Sequence, residues 1–183
     1  MTMLPALDHD LLDDWAPPTR VAEAVAAVLA ERQRQDAKWG QQNHAPASWF
    51  PILGEEYGEV CKALTENEFR GLPLAQVVTE LTETLAVAVA WAECLDRATL
   101  APGTQAAILK SLAWGATADL QRLERPFDGL VGLTIDIGRV GKDIHKWFPG
   151  DYRLKSKLLR LATAGLAWLC ELRRLQADEE IPQ

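Results

Sequence analysis

The sequence predicts an all-α protein, a helical bundle of about six main helices. Apolar residues recur at helical spacing in long stretches rich in Ala and Leu, and alternating patterns rich in β-branched residues are almost absent. Short segments containing Gly, Pro or Asn separate these stretches. A length of 183 residues, 48% of them hydrophobic, suits one compact domain or two small halves with a common core.

Three helices are predicted in the first half, after a flexible leader. Thr19 is the expected N-cap of the first helix, because its hydroxyl can accept a hydrogen bond from the first turn. Pro51 is the expected start of the second helix, because proline favours the first helical turn. The expected segments are a leader over 1–18, helices over 20–39, 51–65 and 74–96, and loops over 40–50 and 67–73.

The second half repeats this layout and predicts an internal duplication. GEVCK at 58–62 aligns with GRVGK at 138–142, and LAVAVAW at 85–91 resembles ATAGLAW at 162–168. Chance similarity between Ala-rich helices that each contain a tryptophan is the alternative. We expect a first half over 19–98 and a degenerate copy over 99–183, packed as one compact domain, with the second set of helices over 104–123, 127–146 and 151–175.

Charge and composition narrow the classes of function. The net charge of −7 argues against stable nucleic-acid binding, which needs a basic face. Residues 1–98 contain 16 acidic and 7 basic side chains, whereas residues 99–183 contain 10 and 12. Without an apolar run of 18 residues, no membrane span is expected. Cys61, Cys94 and Cys170 are expected to be buried free thiols, which favours a cytoplasmic location.

Five glutamates form the pattern that indicates a chemical function. Glu55, Glu56 and Glu59 share a helix face because they are three or four residues apart. Glu80 and Glu83 interrupt an apolar helix, where unpaired carboxylates are rarely buried. A hard divalent cation such as Mg²⁺ relieves the repulsion between these groups and typically bridges carboxylates to phosphates. The alternatives are a solvated face for the first three and neutralisation of the last two by basic residues of the second half.

The order of these motifs resembles the all-α nucleoside triphosphate pyrophosphohydrolases, which include MazG proteins, dimeric dUTPases and dCTP pyrophosphatases. The family's metal motif is Glu-Glu-x-x-Glu followed by Glu-x-x-Asp, and this chain departs from it with Glu83 in the last position. ERQRQDAKWGQQNH at 31–44 and AVAVAWAE at 86–93 resemble segments of a bacterial and phage MazG-like branch. The likeness covers residues 22–97.

The resemblance implies an enzyme that hydrolyses (deoxy)nucleoside triphosphates to the monophosphate and pyrophosphate, with Mg²⁺ as cofactor and Mn²⁺ as a substitute. It implies that Glu56, Glu59, Glu80 and Glu83 bind the metal, and that Glu55 is a further ligand or orients the attacking water. House-cleaning of the nucleotide pool is the expected role. The alternative is a nucleotide-binding or partner-binding bundle without turnover.

The resemblance also implies that the loop over 38–44 borders the nucleotide. Lys38 is then expected to meet a phosphate and Asn43 to read a base edge. Trp39 either packs on the base or lies in the core, and core packing is favoured. Many relatives pair two short chains to build the site, so both a homodimer and a self-contained duplicated chain are expected arrangements.

The predicted duplication places basic side chains at acidic positions of the first half. Glu55, Glu56 and Glu59 align with Ile135, Asp136 and Arg139, and Glu80 and Glu83 align with Lys157 and Arg160. Candidate contacts to triphosphate oxygens, or counter-charges for the acidic half, are therefore Arg139, Lys142, Lys157 and Arg160. The alternative is that these are surface side chains.

Overall fold

A computed structural model describes residues 16–97, 105–120, 126–148 and 152–179 of the chain. Within these ranges it contains six α-helices, one short 3-10 helix and no strand, which confirms the predicted all-α bundle. The helices are α1 (Thr19–Trp39), α2 (Pro46–Arg70), α3 (Leu74–Arg97), α4 (Gln105–Leu120), α5 (Pro126–Asp143) and α6 (Tyr152–Glu179), with a 3-10 turn over Ile144–Lys146 after α5.

Two central helices, α3 and α6, pack against each other and organise the bundle. α1 and α2 pack on α3, and α4 and α5 pack on α6. The predicted duplication would produce this arrangement, because α1–α3 and α4–α6 then occupy matching positions. Trp91 on α3 and Trp168 on α6, which the sequence alignment pairs, are both fully buried.

The two halves fill the space beside these tryptophans differently. In the first half, Trp49 stacks on Trp91 with ring centroids 6.4 Å apart and ring planes 11° apart. Gly129, which aligns with Trp49, lies directly against Trp168, and a Cβ atom there would be 2.1 Å from the indole. The first half therefore has an aromatic pair at the position where the second half has a glycine–tryptophan contact.

Two predicted helix starts are wrong. Thr19 lies inside α1, whose N-cap is Pro18, and its hydroxyl makes no capping hydrogen bond. α2 begins at Pro46, and Pro51 lies within it. Proline at the first turn lacks only an N–H that would be unpaired there, so either proline satisfies the same preference.

The remaining boundaries differ from prediction by short segments. α5 ends at Asp143, where the 3-10 turn replaces its expected last turn, and α6 continues to Glu179. Residues 1–15 of the leader, the expected helix end at 121–123, residues 149 and 150 of the expected turn at 148–150 and the expected helix start at 151 lie outside the described residues.

A tight turn at Gly71 sets the register between α2 and α3. Gly71 adopts left-handed angles (φ 66°, ψ 27°) that favour glycine after a helix. Its N–H and that of Leu72 bond to the carbonyls of Asn67 and Glu66, and the Asn67 amide donates to the Leu72 carbonyl at 2.6 Å. The two helices are therefore antiparallel, and Glu59 and Glu83, equally distant in sequence from Gly71, lie on neighbouring turns.

α3 supplies much of the core through the predicted stripe, and Val77, Leu81, Leu85, Ala88 and Trp91 are all buried. Among the described helices, α3 is also long and apolar enough to span a membrane by length and composition, with a mean hydropathy of 1.2. Within the bundle, 61% of that apolar window is buried, as in the core helix of a bundle.

The cysteine prediction holds in part. Cys61, Cys94 and Cys170 are all free thiols, as expected. Only Cys170 is fully buried, because Cys61 and Cys94 lie at helix positions that are partly open to solvent.

Candidate active site

The α2 carboxylates occupy the edge of the core. Leu53 and Val60 are fully buried and fix which face of α2 turns inward. Glu56 and Glu59 lie between and beside these anchors and are half-buried, whereas Glu55 is exposed. The three acids predicted to share a face therefore differ in exposure, and Glu56 has the most restricted access to water.

The α3 carboxylates meet those of α2 across the seam between the helices. Leu81 and Thr84 are buried, and they leave Glu80 and Glu83 half-buried at the core boundary. The Thr84 hydroxyl donates to the carbonyl of Glu80 at 2.9 Å, so this buried polar group is satisfied within the helix. The acidic cluster, defined as Glu55, Glu56, Glu59, Glu80 and Glu83, thus spans two adjacent helices.

Glu56 is the electrostatic centre of the acidic cluster. Its pKa is raised from 4.5 to about 7, first by burial and then by the negative charges around it. The acids responsible are Glu83, Glu55, Glu80 and Glu31. Desolvation and like charges both disfavour the ionised carboxylate, so this position favours either a proton or a cation.

A third helix, α1, also borders the acidic cluster, and its residues were not assigned to the site from the sequence. Arg34 bonds to Glu31 through Nε and Nη2 at 2.6 and 2.7 Å, and its Nη2 lies 3.6 Å from Glu83 Oε1. The Gln35 amide also donates to Glu31, at 2.9 Å. The signal was the spacing of Glu31, Arg34 and Gln35, which places them on one helix face.

A second cation, Lys62, lies at the other end of the acidic cluster. Its ammonium is 2.9 Å from Glu59, and that hydrogen bond is the main cause of its raised pKa. The pKa of Glu80 is raised by burial, Glu83 and Glu59, and Lys62 partly opposes this. Arg34 and Lys62 therefore flank the carboxylates without neutralising all of them.

A buried ion pair fixes the position of α1 against α3. Arg32 is almost fully buried, and its Nη2 lies 2.8 Å from Asp36 and 3.2 Å from Glu93 of α3. Gln105, at the start of α4, donates to the other oxygen of Glu93 at 2.7 Å. Arg32 directly follows Glu31, so this network fixes the distance between α1 and the acidic cluster.

The donor chemistry of the acidic cluster fits a hard divalent cation, because it consists of carboxylate oxygens. In the ranges that the structure describes, no three His, Cys, Asp or Glu side chains converge as a metal-binding group. Ion pairs with Arg34 and Lys62 orient Glu83, Glu31 and Glu59 along the seam rather than toward one point. Metal coordination therefore requires rotation of side chains that are partly open to solvent.

Lys38 and Trp39 lie at the end of α1, one turn beyond Arg34. The Lys38 ammonium is 4.4 Å from the centroid of the Trp39 ring. The favoured expectation of core packing for Trp39 is wrong, because its side chain is 50% exposed. Half of the Trp39 side chain is therefore exposed beside Lys38 at the end of α1.

Asn43 lies in the short loop that joins α1 to α2. Its side-chain oxygen accepts a hydrogen bond from Arg97 Nε at 2.9 Å, and Arg97 Nη2 donates to the Gln42 carbonyl at 2.8 Å. His44 makes an edge contact with the Trp49 ring at 5.2 Å between centroids, consistent with its predicted place as a loop residue. The loop is thus tied to the end of α3.

Three of the four candidate basic residues of the second half form ion pairs with acids of that half. Arg139 and Arg160 both contact Asp136, and Lys157 pairs with Asp143. Lys142 is exposed on α5. None of these cations is among the causes of the pKa shifts of Glu56 and Glu80. Contact of Arg139, Lys142 and Arg160 with a triphosphate bound at the acidic cluster stays a prediction, and the pairing of both arginines with Asp136 does not favour it.

A contact between the halves lies beside Glu56. The Tyr57 hydroxyl is 2.5 Å from the Thr134 hydroxyl of α5. Thr134 donates its own proton to the Leu130 carbonyl at 2.8 Å, so Tyr57 is the donor in the contact between helices. This bond fixes the rotation of α2 next to the acidic cluster.

No protein-family profile, no curated protein and no solved structure matches this chain.

Proposed function

We propose that the protein hydrolyses (deoxy)nucleoside triphosphates to the monophosphate and pyrophosphate in a Mg²⁺-dependent reaction, with Mn²⁺ as a substitute. The observation that carries this proposal is the environment of Glu56. Its pKa is raised to about 7, first by burial and then by acids from three helices. Burial of a carboxylate beside like charges disfavours folding and is typical of sites that bind a cation.

Glu56, Glu59, Glu80 and Glu83 are the proposed metal ligands. A bound Mg²⁺ would lower the pKa of a water molecule bound to it and would shield negative charge on the phosphates. Glu55 is exposed beside Glu56, so it is accessible to orient a water and accept its proton. The departure from the family motif at Glu83 keeps the ligand type, because glutamate provides the same carboxylate oxygens on a longer stem.

The cations around the acidic cluster suit the phosphates of the substrate. Arg34 and Lys62 pair with acids of the site, and a metal bound to those acids would free both cations to contact phosphate oxygens. Lys38 lies one turn beyond Arg34 on the same face of α1. The triphosphate is therefore proposed to lie along α1.

The end of α1 and the following loop suit the base. The free face of the Trp39 indole offers a surface for stacking. The Asn43 oxygen is engaged by Arg97, which leaves its amide N–H groups to donate to an acceptor on a base edge. The proposed role is house-cleaning of the nucleotide pool in the cytoplasm, by a single duplicated chain or by a homodimer of it.

The test is release of pyrophosphate from a panel of ribo- and deoxyribonucleoside triphosphates, with Mg²⁺, with Mn²⁺ and with EDTA. Metal-dependent release of pyrophosphate together with the monophosphate supports the proposal. Glu56→Gln removes the central carboxylate and is expected to abolish turnover. Glu68→Gln is the matched control, because Glu68 lies on α2 outside the acidic cluster and is exposed.

Two outcomes would overturn the assignment. Full activity of Glu56→Gln would show that the acidic cluster is not the catalytic site. Metal-dependent nucleotide binding without product from any nucleotide would identify a binding bundle without turnover.

A further inference from the structure

A single buried carboxylate on α5 anchors two arginines. Asp136 Oδ1 is 2.6 Å from Nη1 of Arg139 on α5 and 3.1 Å from Nε of Arg160 on α6. The Asp136 side chain is 3% exposed, whereas those of Arg139 and Arg160 are 49% and 63% exposed. One oxygen inside the bundle therefore holds two guanidinium groups at its surface.

The charges at this place do not cancel. Two guanidinium groups share one carboxylate, so the group formed by Asp136, Arg139 and Arg160 has a net positive charge. Lys157 lies nearby, but its ammonium pairs with Asp143 and donates to the Arg139 carbonyl at 3.3 Å. The exposed Lys142, one turn from Arg139, adds a further positive charge on α5.

The geometry leaves donors available in a suitable arrangement. A guanidinium carries five N–H groups, and each arginine uses only part of them on Asp136. Both bonded nitrogens lie within 3.1 Å of the same oxygen atom, so the two groups are close enough to reach neighbouring oxygens of one phosphate. The buried anchor also restrains both side chains, which lowers the entropy cost of binding an anion.

We propose that Arg139 and Arg160 form a binding site for a phosphate anion, separate from the acidic cluster. The ligand chemistry is a phosphoryl group, either of free phosphate or pyrophosphate or of a nucleotide. In the predicted duplication, Asp136, Arg139 and Arg160 align with Glu56, Glu59 and Glu83. The copy that lost its carboxylates thus retains affinity for phosphate through arginines, and this site does not depend on the proposed hydrolysis.

The experiment is isothermal titration of the full chain in EDTA with phosphate, pyrophosphate and ATP. Without metal, the acidic cluster repels anions, so binding reports on the arginines. Arg139→Gln and Arg160→Gln are each expected to weaken binding about tenfold, the usual loss for one charge-assisted contact. Arg174→Gln and Glu68→Gln are the controls, and Glu68 is exposed on α2 outside the acidic cluster. Arg174 is an exposed arginine on α6 paired with Glu171 and Asp178, outside the proposed site.

Binding that falls with ionic strength and weakens about tenfold in each arginine variant, but not in the controls, supports the site. Tighter binding of ATP and pyrophosphate than of phosphate identifies a phosphoryl chain, and equal affinity identifies a free anion. Arg160→Lys, which keeps the charge and loses the planar fork, checks the result if a glutamine variant unfolds, and it is expected to bind more weakly than the wild type. Absence of binding by the wild type, or equal binding by wild type and arginine variants, would overturn the proposal.

Discussion

The two halves of the bundle treat the same positions of the predicted repeat in opposite ways. Glu56, Glu59 and Glu83 of the first half are all acidic, whereas Arg139 and Arg160 of the second half both pair with Asp136. Both groups lie where an outer helix meets a central helix. The positions are alike, but the first half has an excess of negative charge and the second half an excess of positive charge.

This difference suits the two halves to ligands of opposite charge, a cation at the acidic cluster and a phosphate anion at the proposed arginine site. In the first half, burial and then the repulsion of neighbouring acids raise the pKa of Glu56, which is the state expected of a site that completes itself with a cation. In the second half, the buried acid has its counter-charges within the chain. An excess of like charge inside a fold thus indicates an external partner more clearly than the number of acids does.

The largest expected effect is on turnover. Glu80→Gln is expected to lower kcat by about a hundredfold to a thousandfold, because it removes a proposed metal ligand. The matched change in the second half is Lys157→Gln, at the aligned position, and it is expected to leave kcat within about twofold of the wild type. Steady-state pyrophosphate release measures both. Equal losses in the two variants would contradict the division between the halves.

The next largest expected effect is on stability, at the contact between Gly129 and Trp168 of the second half. Gly129→Ala is expected to destabilise the protein by about 2–3 kcal/mol, because the added methyl group meets the Trp168 indole. Gly138→Ala, on the same helix with open space around it, is expected to be neutral or stabilising by up to about 1 kcal/mol. Denaturant unfolding compares the two variants. A wild-type midpoint for Gly129→Ala would contradict the close packing.

The dependence of stability on pH should differ between the halves. Glu56 holds its proton more tightly in the folded chain, where its pKa is about 7, than at its ordinary value of 4.5. Raising the pH from 4.5 to 7 therefore lowers the free energy of unfolding, and the loss is complete above pH 7. In EDTA at pH 8, Glu56→Gln is expected to melt a few degrees above the wild type, roughly 1–3 °C, since Glu56 is partly solvated.

At pH 5 that difference in Tm is expected to shrink, because wild-type Glu56 is then largely neutral in the folded protein. Mg²⁺ at pH 8 is expected to raise the Tm of the wild type and not of the variant. A difference in Tm that stays constant from pH 5 to pH 8 would show that Glu56 is not the titrating group.

The smallest expected effect is on KM, and substitution of two exposed tryptophans tests it. Trp39→Ala is expected to raise KM about threefold to tenfold through loss of base stacking, whereas Trp114→Ala, on α4 outside the proposed site, is expected to leave KM unchanged. Because both side chains are partly exposed, each change should alter stability by only about 0.5–1 kcal/mol. KM values over the nucleotide panel provide the measurement, and an unchanged KM for Trp39→Ala would remove this residue from the site.

Local signals predicted the parts of the fold that depend on local spacing. The stripe on α3 and the shared face of Glu55, Glu56 and Glu59 follow from helical period alone, and the structure contains both helices. The start of α2 was predicted too late because Pro46 and Pro51 satisfy the same local preference. Spacing cannot choose between two such residues.

The features that were missed depend on packing between helices. Glu31 and Arg34 lie beside the acidic cluster only because α1 packs at a particular position along α3. Trp39 is half-exposed at the end of α1, which the helical period does not predict. The bond between Asp136 and Arg160 joins two helices, so its existence depends on their relative register. None of these is encoded in the period of a single helix.

The buried network of Arg32, Glu93 and Gln105 joins the two halves of the bundle. Gln105 belongs to the second half, yet it holds the acid that positions α1 beside the acidic cluster. A chain shortened to residues 19–98 would leave Glu93 with an unmatched oxygen and α1 with one support fewer. The second half is therefore a scaffold for the first, a role that would preserve it in a duplicated chain after the loss of its carboxylates.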